Sequence, residues 1–369
     1  MIKISQQKVM IWPFEWIKGF FPVSQKNLQK LIPKPIRLWT SSARSAIYIT
    51  IKQIQKQKSL NSKIQKELTI AVPAFTCNVV QKAVKIADAN IIYYDSGVTT
   101  NLNSIKSLLK NHKKSLPDAI ILSYNFGYLP DNITQIINLL KKHNIIIIED
   151  CAQALGTSLA GSFGDYAIYS FGISKNISFT GGLIASEKNI SKEIYHEFPN
   201  QTITNVLSAI IKSTLAPIIL NPIIFPITQK LLKNTISKKD NNLLKYKPNN
   251  FTKKVVCHLA KRYDQVLKKR KKNYKLINKK NSDSSCLYQN LLVKNKKSYI
   301  SLAKKQNIEL DDMKSFVCFD NSFPLAKQAQ EHLLTFALLR SDTQIFKIKK
   351  FLEQSKNYNK ISKIASKWN

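Results

Sequence analysis

Between Ala43 and Phe171, short apolar runs alternate with stretches whose apolar residues recur at helical spacing. Leu68 to Phe75, Ala89 to Asp95, Asp118 to Asn125, Asn144 to Asp150 and Asp165 to Phe171 read as strands. Ala43 to Gln57, Cys77 to Ala87, Leu102 to Lys113 and Asp131 to His143 read as the helices between them. Asp131 or Asn132 is suited to cap the last of these. Strands that are apolar throughout must be covered on both faces. The alternation therefore predicts an α/β domain with a mostly parallel sheet flanked by helices. Ligands of such sheets bind beyond the carboxyl ends of the strands.

The stretch from Glu149 to Gly182, EDCAQALGTSLAGSFGDYAIYSFGISKNISFTGG, supplies polar residues at those ends. Asp150 closes one run, and Lys175 follows the end of another. The chain has nine glycines, and seven lie between Gly127 and Gly182. Glycine is needed where backbone turns sharply or comes close to a ligand. Its concentration in one window marks the expected site.

Composition bounds the chemistry. A chain of 369 residues can hold a large domain and a smaller one. Cys77, Cys151, Cys257, Cys286 and Cys318 are scattered without CxxC spacing. That pattern argues for a reducing compartment, the cytoplasm, and against structural zinc. The five histidines form no metal-ligand pair at helical spacing, so no metal is expected. The formal net charge is +36, yet only Arg37, Arg44, Arg262, Arg270 and Arg340 among the 58 basic residues are arginine. A nucleic-acid reader would use more of the bidentate guanidinium fork, so no nucleic-acid partner is expected. The lysine excess reflects codon bias, or it attracts an anion such as a nucleotide-linked substrate or an acidic membrane surface.

Outside the alternating region the signals are different in kind. Trp12, Phe14, Trp16, Phe20 and Phe21 can sit at a membrane interface or cover the core of the first domain, and core cover is the preferred reading. Asn205 to Leu232 is unusually apolar but is interrupted by Lys212, Pro217, Asn221, Pro222 and Pro226. No unbroken run reaches the roughly 18 residues of a spanning helix. A hairpin dipping into a membrane interface and an arm in a dimer contact fit it equally. From Phe251 to about Lys280 one long basic helix is expected, with Val256, Leu259, Ala260, Tyr263, Val266 and Leu267 on its inner face. Twelve Lys and Arg residues between Lys253 and Lys280 read as a solvated helix face. Leu287 to Asn369 reads as a small α/β unit closed by an amphipathic helix, Thr343 to Gln354. The expected division is a large domain over 1–245, with 205–232 as an apolar insertion, and a small domain over 246–369.

A lysine amine can form a Schiff base with an aldehyde cofactor. If that cofactor carries a ring nitrogen and a phosphate, it also needs an acid and an anion cradle. Asp150 at a strand end suits the first need, and Gln153 lies within reach of a ring oxygen. Ser170 and the helix opening at Thr40 to Ser45 suit the second, since free amides and the helix dipole favour anions. An ordinary helix cap explains Ser41 and Ser42 equally well, and a lone lysine near a glycine is usually a surface residue. The ordered set carries the reading.

The motifs SSARSA at Ser41 to Ala46, VPAFTC at Val72 to Cys77, NFG before Tyr128, IEDCAQALG at Ile148 to Gly156, GSFGDYAIYSFGISKN at Gly161 to Asn176 and the pair Gly181-Gly182 occur in that order. The chain thereby resembles the DegT/DnrJ/EryC1/StrS family of pyridoxal-phosphate-dependent sugar aminotransferases. The match covers about Trp39 to Ser186 well, and is looser from Phe251 to Tyr274 and near Pro324 to Glu353. The resemblance implies aminotransferase fold type I, α/β, with a small C-terminal α/β domain. It implies Lys175 as the Schiff-base lysine and Asp150 as the ring-nitrogen partner, both catalytic. It places Gln153 by the ring oxygen, Ser42, Ala43, Arg44 and Ser170 around the phosphate, and Cys77 by the ring. It also implies pyridoxal 5′-phosphate as cofactor, glutamate as donor, a keto sugar as acceptor and a homodimer. A related branch with histidine at the lysine position dehydrates sugars instead, and Lys175 argues against that branch.

Some positions depart from the family. Cys77 stands where many members have an aromatic ring, Leu155 where a polar residue is frequent, and Tyr124 where histidine is common. The G-x-N-x-R segment that reaches across the dimer has only Asn249 and Asn250 as near counterparts. Two alternatives stay open. One is a different amino acceptor, and the other is a scaffold or sensor that binds the cofactor without turnover. Peripheral membrane contact through 205–232 is a further expectation.

Overall fold

The computed structural model describes residues 9–61, 67–196, 198–221, 223, 224, 227 and 246–355. A seven-stranded sheet runs through its centre, in the order β4-β2-β5-β6-β7-β8-β1. These strands are β1 (Ile36–Thr40), β2 (Thr69–Pro73), β4 (Asn90–Tyr94), β5 (Ala119–Ser123), β6 (Ile146–Asp150), β7 (Tyr166–Ser170) and β8 (Gly182–Ala185). β4, β2, β5, β6 and β7 are parallel, while β8 and β1 are each antiparallel to their neighbours. The helices α2 (Ala43–Asn61), α3 (Asn78–Ile86), α4 (Leu102–Asn111) and α5 (Ile133–Lys142) return the chain between strands. A four-residue helix α1 (Lys26–Gln29) precedes β1.

Both faces of the sheet are buried, as its strand composition requires. Ala119 and Ile121 join one apolar cluster with α2 and α3, while Ile120 and Leu122 join another with α4 and α5. Each fully buried Ile or Leu contributes about 1.5–3 kcal/mol, so this alternation fixes the register of the central strands.

The expected strand Leu68 to Phe75 ends sooner. β2 stops at Pro73, and a short β3 (Phe75–Cys77) leaves the sheet to pair with β10 (Phe316–Cys318). Capping at α5 also differs. Asn132 occupies the N-cap, but its side chain accepts no helix N–H, and Pro130 O receives the Ile133 N–H instead.

The long basic helix expected from Phe251 is two helices, α8 (Asn250–Ala260) and α9 (Tyr263–Asn278). At the break, the N–H groups of Lys261 and Arg262 reach back only three residues, to His258 O and Leu259 O. The Arg262 guanidinium leaves the axis to meet Glu15 Oε1 at 3.0 Å and Oε2 at 2.6 Å. The inner face is as expected: Val256, Leu259, Ala260, Tyr263 and Val266 are buried in the larger core, with Leu267 packed against it.

Of the N-terminal aromatics, Trp16 packs against that core as expected, but the others do not cover it. Val9, Met10 and Ile11 do, and Trp12, Phe14, Phe20 and Phe21 stay exposed. The 3-10 helix Glu15–Phe20 turns its acid inward to Arg262 and Trp16 toward the core, and leaves Phe20 outward.

Residues 192–219 contribute α6 (Lys192–His196) and α7 (Ile203–Ile219), and α7 contains the first part of the expected apolar insertion. Of the remainder, through Leu232, residues 220, 221, 223, 224 and 227 are described and the others lie outside the described residues. No described helix is long and apolar enough to cross a membrane.

The C-terminal part forms β9 (Tyr288–Leu292), α10 (Lys296–Lys305), β10, α11 (Pro324–His332), β11 (Leu333–Ala337) and α12 (Asp342–Gln354). β9 and β11 pair antiparallel over a separate apolar cluster that includes Tyr274, Tyr299, Phe336 and Phe351. We propose the division into 1–245 and 246–369 as one of chain order. By packing, α8 and the first turns of α9 belong to the larger core.

Candidate active site

Asp150 is the last residue of β6, hydrogen-bonded into the sheet opposite Ser123 of β5 and Ile168 of β7. Its position is therefore set by the backbone of three strands. Its Oδ1 accepts the Ala152 N–H at 3.0 Å. Burial pushes its carboxyl above the ordinary range, while the Ala152 N–H and the charge of Lys175 pull the other way.

The preceding residue faces the opposite side of the sheet, as strand pleating demands. Glu149 is wholly buried and accepts from Tyr124 Oη at 2.7 Å, Gly161 N at 2.9 Å, Phe163 N at 2.8 Å and Gly164 N at 2.5 Å. Lys34 Nζ lies 3.8 Å from it. Glu149 thus ties the 160–164 turn to the strand that presents Asp150.

Lys175 lies in the turn after β7. Its N–H bonds Gly172 O at 2.9 Å, and its carbonyl accepts from Ser178 Oγ at 3.1 Å. Ser178 Oγ accepts in turn from Met10 N at 3.0 Å. The next residue, Asn176, is buried and donates to Leu155 O at 3.0 Å and Tyr263 Oη at 2.8 Å. Lys175 is thereby held from the N-terminal segment on one side and from α9 on the other.

The third part is the N-terminus of α2. Ser42 Oγ accepts the Ser45 N–H at 3.2 Å, and Ser41 and Ser45 hydroxyls meet at 2.7 Å. A Cβ on Gly182 would stand 2.7 Å from Ala43 N and from Ser42 C. Only glycine lets β8 pass this close under the helix start. The helix amides face an open space with a positive helix end behind them, which is an anion cradle.

These parts border one cavity of about 330 Å³. Ser42, Ala43, Arg44, Cys77, Asp150, Gln153, Ser170 and Lys175, all the residues expected from sequence, line it together. Gln153 Oε1 accepts the Phe126 N–H at 2.7 Å, which leaves its Nε2 as the donor. Gly127, at φ 86°, makes the turn that brings Phe126 there. Desolvation pushes the Cys77 thiol up, against the pull of Lys175. An amine, a buried acid and an anion cradle around one cavity fit a phosphorylated heteroaromatic aldehyde. Among the described residues no group of three His, Cys, Asp or Glu could hold a metal ion.

One wall was not foreseen. Tyr288, Asp311, Met313, Ser315 and Phe316 line the cavity from the C-terminal part. Tyr288 donates to Ser174 O at 3.2 Å, beside Lys175. Phe316 stacks on Phe126 at 4.7 Å and sits opposite Cys77 in the β3–β10 pair. No local motif marks these residues, because their position depends on strands some 240 residues apart. Asn249 has a local role, since its side chain accepts the Thr252 N–H at 2.9 Å and caps α8.

The sequence profile of the DegT/DnrJ/EryC1/StrS aminotransferase family matches residues 26–312. GDP-perosamine synthase of Escherichia coli O157:H7 is 29% identical over 136 residues, 34% of this chain and 36% of that protein. A UDP-N-acetyl-3-dehydro-alpha-D-glucosamine 3-aminotransferase of Acidithiobacillus ferrooxidans is 33% identical over 119 residues, 30% of this chain and 31% of that one. The matched stretch spans about a third of the length of these curated relatives. Among solved structures, E. coli GDP-4-keto-6-deoxy-D-mannose-3-dehydratase with bound hydrated PLP superposes with a TM-score of 0.64. It is 17% identical, with 95% of this chain and all of that one covered, so the likeness speaks for the fold.

Proposed function

The chain belongs to the DegT/DnrJ/EryC1/StrS aminotransferase family, and from that membership we propose that it is a pyridoxal-phosphate-dependent aminotransferase. It moves an amino group, with glutamate as donor, onto a nucleotide-linked keto sugar destined for cell-surface polysaccharide or glycolipid. It works in the cytoplasm as a homodimer. The observation that carries this reading is the meeting of Lys175, Asp150 and the α2 N-terminus around one cavity. The matched relatives are, by name, a perosamine synthase and an amino-sugar transaminase, which supports a sugar acceptor.

The bound cofactor would supply electron withdrawal from the substrate carbon that loses its proton. The chain's own groups do the rest. Lys175 Nζ would hold the cofactor covalently and then, once free, take the proton from the substrate carbon and return it, as base and then acid. Asp150 would keep a proton on the ring nitrogen. Its raised carboxyl gains most from a cation placed beside it, because burial otherwise opposes its charge. Gln153 Nε2 would donate to the ring oxygen. The amides of Ala43 and Arg44, with the Ser42 and Ser170 hydroxyls, would hold the phosphate. Tyr288, by fixing Ser174, limits how far the Lys175 turn can swing.

The test is spectroscopic. Purified protein with cofactor should show a visible absorption band that glutamate shifts and a keto acceptor restores. Lys175→Ala should lack the band. An unchanged band in that variant would refute the lysine assignment, and a band indifferent to every amino donor would refute turnover.

A further inference from the structure

The helix α7 is built inside out. Ile203, Leu207, Ile211 and Leu215 recur every four residues on one face, and that face is outward, with exposures of 79%, 50%, 55% and 45%. The face toward the protein carries small residues instead, with Ala209 and Ser213 buried. A helix made only to cover a core would point its large side chains the other way.

A second element continues the apolar surface. The 3-10 helix Glu15–Phe20 touches α7, and Trp16 Nε1 donates to Thr214 Oγ1 at 2.8 Å across the contact. Beside that contact Trp12, Phe14, Phe20 and Phe21 are 57–67% exposed. Two adjacent elements thus present aliphatic and aromatic side chains to the same outside. Exposed apolar residues are ordinary when scattered, but a contiguous set marks a docking surface.

Charge identifies what docks there. Residues 203–219 contain no acid, and Lys212 on the helix is exposed. In the N-terminal element the one acid, Glu15, is buried and paired with Arg262 and Lys18, while the Lys18 side chain is half exposed. The surface is therefore apolar with a basic fringe, on a chain of net charge +36. Two copies meeting through such faces would bring like charges together, whereas an anionic bilayer meets both the apolar side chains and the lysines. Aromatic rings at the margin suit the headgroup level.

We propose that the outer face of α7 and the adjoining 3-10 helix dock the protein on an anionic lipid bilayer, with α7 lying in the interface plane. The face is separate from the cavity that holds Lys175, and the proposal is independent of the reaction performed there.

The experiment is vesicle co-sedimentation of the full chain with phosphatidylcholine vesicles and with vesicles carrying phosphatidylglycerol. The expected result is binding to the anionic vesicles that exceeds binding to neutral ones and weakens as salt rises. The triple variant Leu207→Glu, Ile211→Glu, Leu215→Glu should lower that binding at least about tenfold. Far-UV circular dichroism checks that this variant is folded. Trp12→Ser with Phe20→Ser, ahead of and within the 3-10 helix, should lower binding independently and carries the test if the triple variant misfolds. Equal binding to both vesicle types, or no binding to either, would overturn the proposal. So would a wild-type oligomer that the triple variant dissociates while vesicle binding is unchanged, which would assign the face to a second copy.

Discussion

The cavity and the outer face of α7 break the same rule in opposite directions. At the cavity, polar and charged groups are buried: Asp150 and Gln153 line it, with Glu149 directly behind. On α7, large apolar groups are exposed while small residues face inward. Most of the molecule obeys the ordinary arrangement, as the two clusters flanking the sheet show. Where a chain departs from it, the departure costs stability and usually serves a contact that the isolated chain does not contain. At the cavity that contact is a charged small molecule. On α7 the proposed contact is a bilayer surface.

The comparison can be broken most severely at Lys175. Lys175→Ala should lower turnover by about 10³-fold or more while leaving vesicle binding intact, because only one of the two regions is touched. Loss of both would show that the regions are not separable. Glu149→Leu should cost about 3–5 kcal/mol in urea denaturation, since it strands Lys34 and four donors in the interior. A loss below about 1 kcal/mol would mean that the buried carboxylate is not a structural anchor.

Gly182→Ala should cost about 1–3 kcal/mol and weaken phosphate and cofactor binding together, because a Cβ there meets the α2 backbone. Isothermal titration with inorganic phosphate and with cofactor checks this.

Asp150 supplies a pH test. Its carboxyl is raised in the folded chain by burial, so the folded apoprotein keeps that proton to higher pH than the unfolded chain does. The stability it contributes is complete at low pH and is lost as pH rises through the raised value. Asp150→Asn should therefore leave the apoprotein as stable at neutral pH, or up to about 1 kcal/mol more stable, while cofactor binding weakens. Equal destabilisation of apoprotein and complex would contradict the assigned role.

Glu15 has the opposite sign. Burial raises its carboxyl, but Arg262, the Trp12 N–H and Lys18 outweigh this and hold it low. Its contribution is present above the ordinary carboxylate range and fades as pH falls through the lowered value. Glu15→Gln should cost about 1 kcal/mol at neutral pH, and that cost should shrink in acid. It should also loosen vesicle binding slightly, because the 3-10 helix is held through this pair.

Much of the cavity was legible in the sequence for a local reason. Asp150 ends an apolar run, Lys175 follows another, and Ser42 to Arg44 open a helix, so strand and helix ends alone bring them near one another. Tyr288 and the 311–316 wall were not legible, because β3 pairs with β10 across a long stretch of chain and neither strand has a marked pattern. The basic helix was misread as continuous for a similar reason. The break at Lys261–Arg262 answers to Glu15, and nothing in the residues around it foretells that partner. Hydrophobicity sends all the aromatics near the N-terminus to the core, but only Trp16 reaches it, and the buried acid beside it sets how that segment sits. On α7 the apolar character was plain from composition, but its outward direction needed the packing of Ala209 and Ser213.

Chemical trapping tests the central claim most directly. Protein incubated with pyridoxal 5′-phosphate, reduced with borohydride, digested and examined by mass spectrometry should carry the reduced cofactor on the peptide containing Lys175, at near one equivalent per chain. A label on any other lysine of this lysine-rich chain, or no label at all, would contradict it.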